Sequence, residues 1–247
     1  MGATKIEFRL RMVTMAVILT LGFWAPWARA WGIGPRIPSL EWLPLELSRL
    51  GLVSFSVAAP LVIVLAALIA AKAMVFRVWG AAYLGPAIVI HGQMIGNALT
   101  ASGPYRYVRN PLYIGLWAMT VALAFLMPPT GALFVLIVVP AFLLRLTLGE
   151  EAFLAGKLGQ PYLDYLCAVP RLVPRFRTTL PPTVNKPQWL RAVFSEFTSI
   201  GIFLALVVFF WSYDDLLMEK IILVSFGISL VARAMLPSSQ RNVAPTE

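Results

Sequence analysis

Residues 51–71 form a run of 21 positions without one charged side chain. A bilayer's hydrocarbon core takes a helix of roughly 17–25 apolar residues, so this run alone nearly decides the class of fold. Similar runs recur along the chain, and six segments read as membrane-spanning: 11–27, 51–74, 112–127, 131–148, 197–213 and 216–236. Hydrophobic residues make up 60% of the 247 and charged residues only 13%. A soluble domain of this size has no core large enough to hide that apolar surface, whereas lipid solvates it directly. The expected fold is therefore an all-α, polytopic integral membrane protein with about six transmembrane helices.

The third and fourth runs are separated only by Pro128, Pro129 and Thr130, which predicts an antiparallel helical hairpin. Residues 31–49, with Trp31, Trp42 and several prolines, read as an interfacial loop or short helix. The first run has two readings. Lys5, Arg9 and Arg11 precede it and Ala28-Arg29-Ala30 follows it, a pattern shared by retained helices and cleaved signal peptides. A retained helix is the expectation.

The net charge of +9 fits orientation in a bilayer better than nucleic-acid binding, because the basic residues flank apolar runs. With the N-terminus in the cytoplasm, 16 of the 20 basic residues fall on the inner side. Both termini are then cytoplasmic, in a bacterial inner membrane. The single cysteine, Cys167, permits no intrachain disulfide, and the single histidine, His91, excludes a histidine-rich metal site. No spanning run has an ionisable residue near its middle, and no internal repeat is evident, which counts against ion-coupled transport.

Two long stretches, 75–111 and 149–191, fall on the inner side and flank the hairpin. The first ends in Ser102-Gly103-Pro104, a turn, and then Arg109-Asn110-Pro111-Leu112-Tyr113-Ile114-Gly115. Pro111 fits the first position of a helix with Asn110 as its N-cap, which places Tyr113 in the first turn. The second opens with Glu150-Glu151 at a helix end, where the dipole disfavours anions. Capture of a cationic group and a solvated helix end are both open readings of that pair.

Taken together, Gly103-Pro104-Tyr105, the Arg109–Gly115 motif, Glu150-Glu151, Gly159-Gln160-Pro161-Tyr162-Leu163-Asp164-Tyr165 and Val169-Pro170 with Pro174 resemble the isoprenylcysteine carboxyl methyltransferases and phospholipid N-methyltransferases. The resemblance covers residues 85–174. It implies S-adenosylmethionine as methyl donor, with no metal, in a pocket on the cytoplasmic side. Carried over by position, Asn97, Ala98, Leu99, Thr100, Tyr105, Asn110, Pro111, Leu112 and Tyr113 would line the cofactor. Glu150, with Glu151 beside it, would meet its amino group, and Arg145 would bind substrate. The family's usual histidine before the proline is Asn110 here, which cannot titrate. His91 and Gln93 read as polar helix-end residues, Tyr162 and Tyr165 as packing, and Arg171, Arg175 and Arg177 as an anchor to anionic headgroups.

The implied division is N-terminal helices (1–79), a methyltransferase core (80–178) and a two-helix extension with a polar tail (179–247). The implied partners are a lipophilic or lipidated acceptor and the bilayer, with no nucleic acid. Two rivals stand beside this reading: a reductase of sterol-type double bonds using NADPH, and a non-catalytic scaffold or transporter.

Overall fold

The structure, a computed structural model, describes residues 2–84, 101–175, 177, 180 and 186–235. The described elements are helical throughout. In chain order they are α1 (Lys5–Arg9), α2 (Arg11–Trp24), α3 (Pro26–Ala30), α4 (Ser39–Arg49), α5 (Phe55–Leu84), a 3-10 turn (Gly103–Arg106), α6 (Pro111–Ala124), α7 (Pro129–Leu158), α8 (Gln160–Ala168), α9 (Trp189–Ser195), α10 (Phe197–Ser212) and α11 (Asp215–Met235). The all-α expectation holds. Leu61, Leu68, Leu133, Ile137 and Leu223 each lie 60% or more exposed, so the bundle turns aliphatic side chains outward as a lipid solvent favours.

Each of the six apolar runs is helical, with shifted boundaries. The first breaks at Ala25, whose φ of 40° is left-handed, because Pro26 disfavours the α conformation in the residue before it. Pro26 then starts α3 from the N1 position. Helix α5 runs on to Leu84, ten residues beyond the expected end, and α7 runs on to Leu158. Charged residues, Lys72 and Arg77 in α5 and Glu150-Glu151 in α7, and not loss of helical geometry, are what marked the expected ends. By length and apolarity α2 with α3, α5 and α7 each suffice to cross a membrane, and the bent pair α9–α10 makes a fourth. Helix α6 has only 14 residues. In α11 the charges of Glu219 and Lys220 near one end and Arg233 near the other confine the apolar stretch between them.

Helices α6 and α7 form the expected hairpin. Fully buried Met127 closes its turn, and α2 packs along α7 through Met15, Ile18, Val135, Val139 and Leu146. Helix α5 presents Ala66, Ala70 and Ala73 to the bundle, and such small residues let helix backbones approach closely. The segment at 31–49 contains helix α4, whose start caps the end of α6. Ser39 donates through its amide and its hydroxyl to the Met127 carbonyl, both at 2.8 Å, and the Leu40 amide donates to the Phe125 carbonyl at 2.7 Å. These carbonyls have no partner within their own helix, so α4 satisfies them.

Helices α9 and α10 meet at a bend of 68° centred on Glu196. The Glu196 carboxylate is 1% exposed and accepts from Arg77 of α5 through Nε at 2.6 Å and Nη2 at 2.8 Å. Ser199 donates to it at 2.9 Å. Gly115 of α6 makes room for this pair, because a Cβ there would lie 2.6 Å from Arg77 Cγ. The C-terminal helices are thereby fastened to the part of α5 that faces the start of α6.

Candidate functional site

The hairpin's open end gathers the residues singled out by the motif. Pro111 stands at N1 of α6 and Asn110 occupies the N-cap position, but the Asn110 side chain does not cap the helix. Its amide donates instead to the Arg171 carbonyl at 3.4 Å. Tyr113, one turn into α6, donates its hydroxyl to Glu150 Oε2 at 3.1 Å. The bond joins the beginning of one hairpin helix to the far end of the other. Glu150 retains acceptor capacity beyond this single bond.

Glu151 behaves differently from its neighbour. It is buried, and its two oxygens are shared by Arg109 at 3.1 Å and Arg171 at 2.7 Å. Arg171 makes two further contacts to it through Nε, at 3.2 and 3.1 Å, and the carboxylate holds that guanidinium's pKa above its ordinary value. Backbone bonds reinforce the triad: the Arg109 amide donates to the Pro170 carbonyl at 2.9 Å, and the Arg175 amide to the Tyr107 carbonyl at 3.0 Å. Glu151 thus ties together the two stretches that flank the hairpin.

Tyr105 lies in the 3-10 turn and is buried. Its carbonyl accepts from the Tyr165 hydroxyl at 2.8 Å. Its own hydroxyl has no hydrogen-bond partner among the described residues. Burial, with the nearby Glu150 carboxylate, pushes that phenol well above its ordinary pKa, so it is a fixed donor. A buried donor without a partner is costly, so this hydroxyl is open to an acceptor atom from a water or a ligand. Tyr162 and Tyr165 pack with Val169, Leu154 and Leu158 and form the small core that seats α8, as the sequence suggested. Helix α7 ends at Gly159, whose φ of 65° turns the chain into α8.

Arg145 is not gathered with this group. It stands on α7 five residues before Glu150, which rotates it to another face of the helix. Its guanidinium meets Glu7 of α1 at 2.8 Å, and its carbonyl accepts from the Ala3 amide at 2.8 Å. Leu112 packs beside Ala81, Ala82 and Ala192, where it joins α5, α6 and α9. Asn97, Ala98, Leu99 and Thr100, together with His91 and Gln93, lie outside the described residues.

Sequence reasoning passed over Arg77, Glu196, Glu7 and the pairing role of Arg171. One signal was available. Glu196 is the only acidic residue between Asp164 and Asp214, and it sits where an apolar helix begins. An isolated acid in that setting demands a cation.

Residues 61–160 match the family model described as phospholipid methyltransferase. That window runs from α5 through the hairpin to the start of α8, and it includes Tyr105, the Arg109–Gly115 motif and Glu150-Glu151. No curated protein and no solved structure matches the chain.

Proposed function

We propose that the chain, whose residues 61–160 match the phospholipid methyltransferase family model, moves a methyl group from S-adenosylmethionine to a lipophilic acceptor at the membrane. The observation that carries this reading is the pairing of Tyr113 with Glu150 beside the unpartnered Tyr105 hydroxyl. A half-buried carboxylate with spare acceptor capacity and a phenol donor together suit a ligand bearing an ammonium group and an acceptor atom. Such a site fits the amino-acid portion of the donor.

When bound, that cofactor supplies a methyl group already activated on a positively charged sulfur. Glu150 would hold the ammonium group, and Tyr113 would fix the orientation of Glu150. Tyr105 would donate to an acceptor atom of the bound molecule. Glu151 would act one step back, by locking Arg109 and Arg171 and with them the wall of the site. Asn97, Ala98, Leu99 and Thr100 keep the lining role that the family resemblance implies for them, and Asn110, Pro111 and Leu112 keep theirs.

The acceptor has to be aligned and kept from water, which accounts for the apolar surroundings. Asn110 offers no base. An acceptor that is already an anion, such as the carboxylate of an isoprenylated cysteine, needs none. A phospholipid amine would have to arrive neutral. The apolar part of either enters from the bilayer, and the site faces the cytoplasm of a bacterial inner membrane. The NADPH-dependent reductase is the weaker reading, because Arg109, one of the two arginines available for a phosphate, is engaged by Glu151.

The direct test is transfer of labelled methyl from S-adenosylmethionine into lipid extracts and farnesylated cysteine analogues by the reconstituted protein. Label in an organic-soluble product, lost in Glu150→Gln, is the expected result. Cofactor binding without transfer to any lipophilic acceptor would overturn the acceptor class.

A further inference from the structure

Between Asp164 and Glu196 the chain carries five basic residues, Arg171, Arg175, Arg177, Lys186 and Arg191, and no acidic one. Within that stretch Leu172 is 49% exposed and Val173 76% exposed. Arg175 and Arg177 are exposed beside them. Among the described residues the Arg175 side chain makes one weak bond, at 3.3 Å from Nη1 to the Ala168 carbonyl.

The depth of this loop is fixed by its anchors. Helix α6 has 14 residues, about 21 Å, against a hydrocarbon core of roughly 30 Å. A helix this short cannot carry its first residue far past the headgroup layer. Arg109, two residues before α6 begins, is bonded to Pro170, and Tyr107 is bonded to Arg175. Leu172 and Val173 lie between those two anchors and so are held beside the start of α6, no farther out than the headgroup layer.

We propose that residues 170–175 with Arg177 form a docking surface for anionic lipid headgroups. Leu172 and Val173 enter the interfacial layer, while Arg175 and Arg177 meet lipid phosphates. An apolar tip flanked by arginines and free of acids is complementary to an anionic bilayer surface and to little else at this depth. The surface is wired to the candidate site. Arg171 at its edge shares Glu151 with Arg109, and Glu151 neighbours Glu150.

The test uses the full chain in lipid nanodiscs. Cys167→Ser removes the single cysteine, so Val173→Cys, or Leu172→Cys as a second position, takes one spin label. Label depth is measured with oxygen and an aqueous nickel chelate, in phosphatidylcholine discs and in discs that also contain phosphatidylglycerol. The expected result is a label in the interfacial layer that moves deeper with phosphatidylglycerol. Arg175→Gln and Arg177→Gln should each lower this preference about fivefold. A label that stays in water in both discs would overturn the proposal. So would a depth indifferent to phosphatidylglycerol, or a response reproduced by inorganic phosphate over phosphatidylcholine alone. All substitutions are at the surface, and a monodisperse elution profile establishes that the fold is intact. The readout needs neither cofactor nor acceptor, so it stands apart from the methyltransferase reading.

Discussion

The Tyr113 hydroxyl donates to Glu150 Oε2 at 3.1 Å, joining the two ends of a helical hairpin whose turn lies at the far side of the bundle. A bond to a carboxylate is worth more than one between neutral groups, and Tyr113→Phe removes it without changing the shape of the ring. Affinity for S-adenosylhomocysteine should fall about tenfold in Tyr113→Phe. Thermal stability in detergent should change little. Calorimetry beside a thermal melt checks both, and unchanged affinity would remove Tyr113 from the site.

Glu151 carries two arginines of unequal burial, with side chains 11% exposed for Arg109 and 37% for Arg171. Removing the shared carboxylate leaves a mostly buried charge unpaired. Glu151→Gln should therefore destabilise the fold by about 3 kcal/mol. Arg171→Gln, at the wetter side, should cost only about 1 kcal/mol. Denaturation in mixed micelles gives the order, and a larger loss for Arg171→Gln would contradict the assignment.

The Arg77–Glu196 pair holds the C-terminal helices to α5, and Gly115 gives it space. Glu196→Ala strands a buried guanidinium and should cost about 3–5 kcal/mol. Gly115→Ala presses on Arg77 Cγ and should loosen the same contact. Limited proteolysis between α8 and α9 reads this out. Cleavage should speed up in both variants, and unchanged cleavage would mean that the extension is held by apolar packing alone.

Glu7 responds to pH in a predictable direction. The Thr4 amide, at 2.7 Å, and Arg145 hold its carboxyl below the ordinary value of 4.5. A depressed carboxyl pKa contributes stability above the unfolded value and loses it as pH falls through the folded one. Docking of residues 2–9 on α7 should therefore be flat from neutral pH down to about 4.5 and weaken only in more acid solution. Amide exchange at Ala3, whose N–H is bonded to the Arg145 carbonyl, reports this directly. Weakening already near neutrality would point to another titrating group.

Helix positions were legible because apolar runs and prolines act locally. The start of α6 follows from Pro111, whereas the break at Ala25 before Pro26 fell inside a run read as continuous. The ends of α5 and α7 were not legible, because each helix continues past the charged residues that end its apolar run, Lys72 and Arg77 in α5 and Glu150-Glu151 in α7. The family resemblance put Tyr113 and Glu150 in one cofactor site, but their direct bond and the division of labour within Glu150-Glu151 were hidden. That division depends on which face of α7 meets Arg109 and Arg171, residues 42 and 20 positions away in sequence. The contact of Arg145 with Glu7 was hidden in the same way, because it depends on how α7 is rotated toward α1.

Whether Glu150 belongs to a site for S-adenosylmethionine is tested most directly by calorimetric titration of the detergent-solubilised protein with S-adenosylhomocysteine, with NADPH run in parallel. Saturable binding of S-adenosylhomocysteine, lost in Glu150→Gln, and no binding of NADPH are the expected results. Binding of NADPH alone, or S-adenosylhomocysteine affinity unchanged by Glu150→Gln, would contradict that role for Glu150.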